Sequence, residues 1–271
     1  MNIASRIQLN SGVEIPALGL GTWKTPPGKK SEDAAQWALE AGYRHIDTAS
    51  VYGNEESIGR AIKKSRVPRE DIFITTKLWN SDHNKAESAF AESLKKLKLD
   101  YVDLYLMHWP VEKVRNKTWE RMEKILEGKK CRAIGVSNFT ITHLDELLKT
   151  ANVLPVVNQV EFSAYLYQKE LLEFCRAKNI QVECYSPLTR GKRFSDAKLV
   201  NLSKKYGKSP AQILIRWALH HNLIVIPKSQ RKERIIENAN VFDFELSQGD
   251  INAMDHLNEN FRVCWDPTNI P

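Results

Sequence analysis

The chain has 271 residues, of which 42 % are hydrophobic and 27 % charged, an ordinary globular composition with enough apolar mass for a large core. Its longest tight apolar run is LIVI at 223–226, far short of the roughly 20 residues of a membrane helix, so no membrane-spanning helix is expected. The formal charge of +7 comes from lysines and arginines spread along mixed-charge helical faces, which reads as a solvated surface and not as a nucleic-acid-binding stripe.

The opening MNIASRIQLNSG carries no continuous apolar segment of the kind a secretory signal needs. RIQLNSGVEIP, 6–16, reads as a hairpin turning at Asn10, Ser11 and Gly12. From ALGLGTW (17–23) onward, short apolar runs rich in β-branched and aromatic residues alternate with longer amphipathic stretches. A helix over 31–42, with Ser31 as its N-cap, leads to the second strand, HIDTA (45–49). IFITTKLW (72–79), a helix over 85–99, VDLYLMHW (102–109), CRAIGVSNF (131–139) and VVNQVEFS (156–163) continue the pattern. A helix over 169–179 precedes QVECYSPL (181–188). Another over 209–222, capped by Ser209 with Pro210 in its first turn, precedes LIVIPK (223–228). Eight strand–helix units in about 250 residues predict an α/β fold, a closed (β/α)8 barrel, with the hairpin as a lid over its N-terminal end. No linker or shift in composition interrupts 1–271, so one domain is expected. Cys131, Cys175, Cys184 and Cys264 show no CxxC or CxxH spacing, which argues against a disulfide framework or zinc site and for a reducing cytoplasm.

Barrel enzymes assemble their sites at the C-terminal ends of the strands, and polar residues gather at those ends here. Asp47, Lys77, His108, Ser137 with Asn138, Asn158 with Gln159, Tyr185 with Ser186, and Lys228 with Ser229 all stand in or at the end of a strand. Any one could be a satisfied core polar group; their shared placement is the signal. Asp47, Tyr52, Lys77 and His108 follow strands two, three and four and so are neighbours around one mouth. A lysine is costly to bury alone, and Asp47 offers the offsetting charge. Lys77 then stands as a fixed cation beside Tyr52. It is expected to lower that phenol from its unperturbed ~10 and make it a usable general acid. His108 would hydrogen-bond a substrate oxygen and orient it. A different chemistry, a Schiff base on Lys77, works best with a deprotonated amine, which pairing with Asp47 opposes.

GLGTWK at 19–24 lacks the third glycine of a dinucleotide fingerprint, so no Rossmann site is present. Instead IPKSQRKERIIENA, 226–239, runs from the last strand into a short helix with Lys228, Arg231, Lys232 and Arg234 at its beginning. Cations there oppose the helix dipole, and a bound anion would offset them. The loops after the last two strands are a recurrent phosphate site in barrels. Trp23, Trp79 and Trp109 follow strands one, three and four; because barrel interiors prefer branched aliphatics, they read as walls of a substrate pocket.

Taken together, GTW (21–23), HIDTASVYGNE (45–55), TTKLW (75–79), LMHWP (106–110), GVSNF (135–139), NQVEF (158–162) and IPKS (226–229) resemble the aldo-keto reductases, in order and over essentially the whole chain. The resemblance implies reduction of aldehydes and ketones by a nicotinamide cofactor, without metal, in the manner of compact microbial diketogluconate or glyoxal reductases. It implies that Tyr52 is the acid, that Asp47 and Lys77 tune it, and that His108 positions the carbonyl. It further implies that Lys228, Ser229 and Arg234 hold the adenosine 2′-phosphate and that Glu237 and Asn238 contact adenine. Ser137, Asn138 and Gln159 would bond the nicotinamide amide, and Tyr185 would stack on its ring. The backbone near Ser186 and Leu188 would approach the pyrophosphate, with Gly21 and Thr22 completing the set. NADPH is therefore expected over NADH, since the cations need a phosphate partner. VEKVRNK (111–117) and the tail FRVCWDPTNIP (261–271) are short where larger substrates need covering loops, which implies an open pocket for short aldehydes, dicarbonyls or keto-sugars. Some aldo-keto reductases serve as cofactor sensors or structural proteins, so an NADPH-binding, non-catalytic role is the alternative. A cytoplasmic monomer is expected.

Overall fold

The computed structural model describes all 271 residues. The hairpin comes first, β1 (Arg6–Gln8) antiparallel to β2 (Glu14–Pro16) with Ile7 opposite Ile15. Gly12 closes its turn at φ 83, donating to the Leu9 carbonyl at 2.9 Å, a conformation that costs glycine nothing. Asn10 in the same turn donates to the carbonyls of Pro155 (3.2 Å) and Asn179 (3.0 Å), which stand just before two barrel strands. The hairpin thus lies over the N-terminal end, as expected.

The barrel strands are β3 (Leu20–Gly21), β4 (His45–Asp47), β5 (Phe73–Leu78), β6 (Val102–Met107), β7 (Cys131–Ser137), β8 (Val157–Glu161), β9 (Gln181–Tyr185) and β10 (Ile224–Val225). These eight pair parallel in chain order. The ring closes where Leu18 bridges Val225, whose N–H donates to Ala17 O at 2.9 Å and whose carbonyl accepts from Gly19 at 2.9 Å. The fold is therefore a (β/α)8 barrel. β10 is shorter than the run 223–228 because Pro227 has no N–H to continue the ladder.

Outside the strands lie α1 (Lys29–Glu40), α2 (Glu55–Lys64), α3 (Ala86–Leu97), α4 (Arg115–Glu127), α5 (Ile141–Leu148), α6 (Lys169–Ala177), α7 (Ala197–Tyr206), α8 (Pro210–His220), α9 (Lys232–Ala239) and α10 (Gln248–Asp255). α8 begins as predicted: Ser209 Oγ accepts from Gln212 N at 3.3 Å and Gln212 Oε1 accepts from Ser209 N at 3.0 Å. α1 does not. Gly28, at φ 87, is its N-cap, and Ser31 is buried in the first turn with its Oγ donating to Pro26 O at 2.7 Å. The left-handed glycine turns the chain into the helix before the serine is reached. One continuous cluster of 67 buried apolar residues fills the space between helices and strands. Each fully buried Leu or Ile in it contributes about 1.5–3 kcal/mol. No helix is long and apolar enough to cross a membrane.

Candidate active site

Side chains alternate along a strand, so His45 and Asp47 of β4 point the same way, as do Thr75 and Lys77 of β5. Both pairs face the barrel interior. Lys77 is fully buried and Asp47 2 % exposed. Lys77 Nζ donates to both Asp47 oxygens at 2.7 Å and to Thr48 O at 2.9 Å, the geometry of an ion pair. Burial pushes the Asp47 carboxyl up, while the Lys77 charge and a Gln159 hydrogen bond pull it back. The fourth contact of Lys77 is to Tyr52 Oη at 3.3 Å, the longest of the set.

Tyr52 ends a single 3-10 turn, Ser50–Tyr52, closed by Gly53 at φ 70. Ser50 Oγ donates to Lys77 O at 3.0 Å and so ties this turn to β5. Asn54, fully buried just after it, accepts from Thr48 Oγ1 at 2.7 Å and donates to the carbonyls of Thr22 (3.1 Å) and Thr25 (3.2 Å). Nothing in the periodicity distinguishes this asparagine from a helix cap, yet it fastens the loop after β3 to the loop that carries the tyrosine. The expected depression of the phenol is not what the site shows. Burial, then the Asp47 charge, pushes Tyr52 well above the ordinary phenol range. The ring keeps an edge on the cavity. At 3.3 Å from Oη, the Lys77 ammonium would stabilise negative charge on that oxygen.

His108 stands beside Tyr52, ring centroids 5.7 Å apart, and beside Trp79 at 5.2 Å. Burial and the Lys77 charge hold its imidazole well below its ordinary value, so it is neutral at pH 7. Asn138, left-handed at φ 63, donates to His108 O at 2.9 Å and to Ser137 Oγ at 3.1 Å, and accepts from Tyr185 Oη at 2.7 Å.

A cavity of about 960 Å³ opens over these groups. Of the residues expected there, Asp47, Tyr52, His108, Gly21, Asn138, Gln159, Tyr185, Ser186, Leu188, Lys228, Ser229, Arg234, Glu237, Asn238, Trp23, Trp79 and Trp109 all line it. Three lie behind the wall. Lys77 is beneath Tyr52, Thr22 spends its hydroxyl on Asp47 O at 2.9 Å, and Ser137 donates to Gln159 O at 2.8 Å. The Gln159 amide donates to Asp47 Oδ2 at 2.8 Å, joining the ion pair from the far side of the barrel. Asn158 faces away and is satisfied by the Phe139 backbone. Gly21 has to be glycine: a Cβ there would lie 2.8 Å from Ile226 O.

Several wall residues were not foreseen. Lys24 and the Arg190 guanidinium each sit 4.7 Å from the Trp23 ring, Arg190 bonds Cys264 Sγ at 3.0 Å, and Gln230 donates to Lys24 O at 3.0 Å. Trp265, in the short tail, reaches the mouth, 6.1 Å from Trp109. It is held by Glu161, whose carboxylate accepts from Val263 N (2.6 Å) and Cys264 N (2.9 Å). Only Val111–Val114 separate Pro110 from α4, so that side stays uncovered.

The cavity extends to the start of α9. Lys228, Arg231 and Arg234 line it there, and none has a carboxylate partner. Partial desolvation and the neighbouring Lys24 lower Lys228. Uncompensated cations at an uncapped helix start suit a phosphate-bearing ligand, so the residues present fit the nucleotide that the motifs imply.

A closed (β/α)8 barrel with this polar cluster at its C-terminal mouth stands among the barrel enzymes. Residues 17–259 match the family model described as "Aldo/keto reductase family". The chain is 46 % identical over 271 residues to a glyoxal reductase of Bacillus subtilis (strain 168), covering 99 % of this chain and 98 % of that one. It is 45 % identical over 265 residues to methylglyoxal reductase DkgA of Escherichia coli (strain K12), covering 96 % of each. Among solved structures, a Bombyx mori aldo-keto reductase in complex with NADP superposes with a TM-score of 0.91 at 39 % identity, covering 97 % of this chain and 96 % of that one. The chain belongs to the aldo-keto reductase family, a family of oxidoreductases.

Proposed function

We propose that the chain, working as one barrel domain, reduces small aldehydes, dicarbonyls or keto-sugars to alcohols with NADPH, Tyr52 providing the proton. The observation that carries this is the run of contacts from Asp47 through Lys77 to Tyr52, with His108 on the same cavity wall. The similar glyoxal and methylglyoxal reductases support the substrate class, and the NADP complex of the Bombyx mori protein supports the cofactor.

A carbonyl oxygen between Tyr52 Oη and His108 receives a hydrogen bond from the neutral imidazole, which orients it. NADPH, when bound, supplies the hydride to the carbonyl carbon. The oxygen takes the Tyr52 proton, the alcohol leaves, and the negative charge left on Oη is stabilised by Lys77, itself held by Asp47. Solvent then returns a proton to Tyr52. Lys228, Ser229 and Arg234 would hold the adenosine 2′-phosphate, the basis for NADPH over NADH, and Glu237 and Asn238 the adenine. Asn138 and Gln159, backed by Ser137, would meet the nicotinamide amide, and Tyr185 the ring face. The backbone at Ser186 and Leu188 would run along the pyrophosphate, with Gly21 and Thr22 behind. Trp23, Trp79 and Trp109 would wall the substrate. Of the exposed large apolar side chains, Val51 and Trp265 belong to the cavity wall and only Met1, Leu154 and Ile236 stand outside it, which supports a monomer. The four cysteines are free, which supports a reducing cytoplasm.

The test is NADPH oxidation with short aldehydes and dicarbonyls by the native protein and Tyr52→Phe. Turnover should fall by about 10²–10⁴-fold in the variant with NADPH affinity kept. Equal turnover in both overturns the acid role. NADPH binding without turnover in either makes the chain a non-catalytic binder.

A further inference from the structure

The scheme above uses Asp47, Lys77, Tyr52 and His108, but one layer deeper in the barrel lies an acid–base pair it leaves idle. Glu183 of β9 and His45 of β4 are both fully buried. His45 Nε2 lies 3.7 Å from Glu183 Oε1 and 3.0 Å from Thr75 Oγ1. Alternation puts them in the stack beneath the site: His45 is two residues before Asp47, Thr75 two before Lys77, and Glu183 two before Tyr185. Gln159, the register partner of Glu183, carries its amide to Asp47 Oδ2 at 2.8 Å.

Neither oxygen of Glu183 has a hydrogen-bond partner, and neither has His45 Nδ1. An ionised carboxylate without a donor, near the charge of Asp47, is an expensive arrangement; a neutral carboxyl is far cheaper. Burial and then the Asp47 charge push Glu183 up to about 8 against the opposing pull of the nearby Gln159 amide and the Lys77 charge, and burial with the Lys77 charge pulls His45 down to about 3. At pH 7 the acid therefore keeps its proton and the imidazole is uncharged.

The groups around Glu183 are few. β4 presents His45 and Asp47, β5 presents Lys77, and the turn above presents Tyr52, on which Glu183 exerts a direct charge effect. β8 presents the neutral Gln159, and β10 places Ile224 beside it in register. Cys184, next along β9, turns away to donate to Phe162 O. Asp47 and Lys77 alone sum to zero charge. An ionised Glu183 would add a second negative charge facing Lys77 and oppose the charge that has to form on Tyr52 Oη.

We propose that Glu183 is a positioning residue of the reaction, an acid kept neutral under the Asp47–Lys77 pair so that the Lys77 charge stays available to Tyr52. The proposal rests on Tyr52 being the proton donor. Its protonated form is the competent one, and losing that proton slows reduction without any change in substrate or cofactor contacts.

The test compares the pH dependence of kcat for NADPH-driven reduction in the wild type and in Glu183→Gln, from about pH 6 to 10. Wild-type kcat should fall on the alkaline side with a midpoint near that of Glu183, about 8. Glu183→Gln, which cannot ionise, should keep neutral-pH kcat within about threefold and hold it to higher pH. An unchanged alkaline limb, or a uniform loss at every pH, assigns Glu183 to structure alone and overturns the proposal. A second measurement needs neither the variant nor turnover: the carboxyl carbons of glutamate-labelled wild-type protein, followed by NMR against pH. A glutamate titrating near 8 supports the proposal, and the absence of any above about pH 7 sinks it. A wild type that titrates this way yet turns nothing over would refute the reductase reading instead.

Discussion

Removing the Lys77 ammonium tests whether Asp47 and Lys77 form one unit and what that unit does. Lys77→Met keeps the length of the side chain and deletes the charge, leaving the 2 % exposed Asp47 carboxylate without the two 2.7 Å contacts that offset its burial. Breaking a buried pair from one side costs about 3–5 kcal/mol, and Asp47→Asn alone should cost a similar amount. Were the losses independent, the double variant would lose about 6–10 kcal/mol, most or all of the ~5–15 kcal/mol of a folded domain. With both charges gone there is no uncompensated ion to bury, so the double variant should lose about 0–3 kcal/mol. Urea unfolding of the four proteins at pH 7 reads this directly. Activity should not follow stability: kcat falls by roughly 10²–10³-fold in Lys77→Met and stays down in the double variant, because Tyr52 still lacks its cation. Stability losses additive to within about 0.5 kcal/mol would refute the pairing argument. Recovery of kcat in the double variant would show Lys77 to be only a counter-ion.

Arg234→Ala should raise KM for NADPH by about 10–100-fold and leave KM for NADH unchanged, since only the 2′-phosphate loses a charged hydrogen bond of ~1.5–3 kcal/mol; equal effects on the two cofactors would count against the phosphate assignment. The kcat/KM profile should show no inflection near the usual imidazole value of ~6.5, because burial and Lys77 hold His108 neutral to well below it. An acid limb there that vanished in His108→Gln would contradict this. Glu161→Gln halves the anchoring of the 263–264 backbone and should raise carbonyl KM by roughly 3–10-fold with NADPH Kd unchanged, as Trp265 loosens over the mouth. An unaltered KM would mean that Trp265 does not cover substrate.

The barrel was legible because its signals are local. Apolar runs of strand length recur between helical stretches, and Ser209 with Pro210 states a helix start within two residues. Asp47, Lys77 and His108 could be found because each breaks an apolar run at the same end of a strand. Ser31 misled because a serine before an apolar-periodic stretch has the pattern of a cap whether or not a glycine three residues earlier has already turned the chain. What was not legible is contact across the barrel or between distant loops. Nothing local connects Gln159 to Asp47, 112 positions away, or Glu161 to Cys264, 103 away. Asn54 carries no local mark of its three hydrogen bonds to Thr22, Thr25 and Thr48. Glu183 reads as a charged residue in a strand; only closure of the barrel removes its water and shows it facing His45.

The same closure reverses the expectation for Tyr52 and bears on direction. A neighbouring cation lowers a phenol in isolation, but here burial and the Asp47 charge outweigh it, and Tyr52 lies well above its ordinary value. At pH 7 the phenol is therefore protonated, the form that donates in reduction, while the phenolate that alcohol oxidation requires is scarce. Reduction consumes a proton and oxidation releases one, so rising pH should favour oxidation both thermodynamically and through Tyr52. The expected outcome is an alcohol-oxidation kcat that climbs roughly tenfold per pH unit between about pH 6 and 8, and more shallowly above the Glu183 midpoint. The climb should be absent from the residual rate of Tyr52→Phe, which has no phenol to ionise. An oxidation rate that is flat across that range would mean that Tyr52 is already ionised near neutrality, and that Lys77 dominates burial after all.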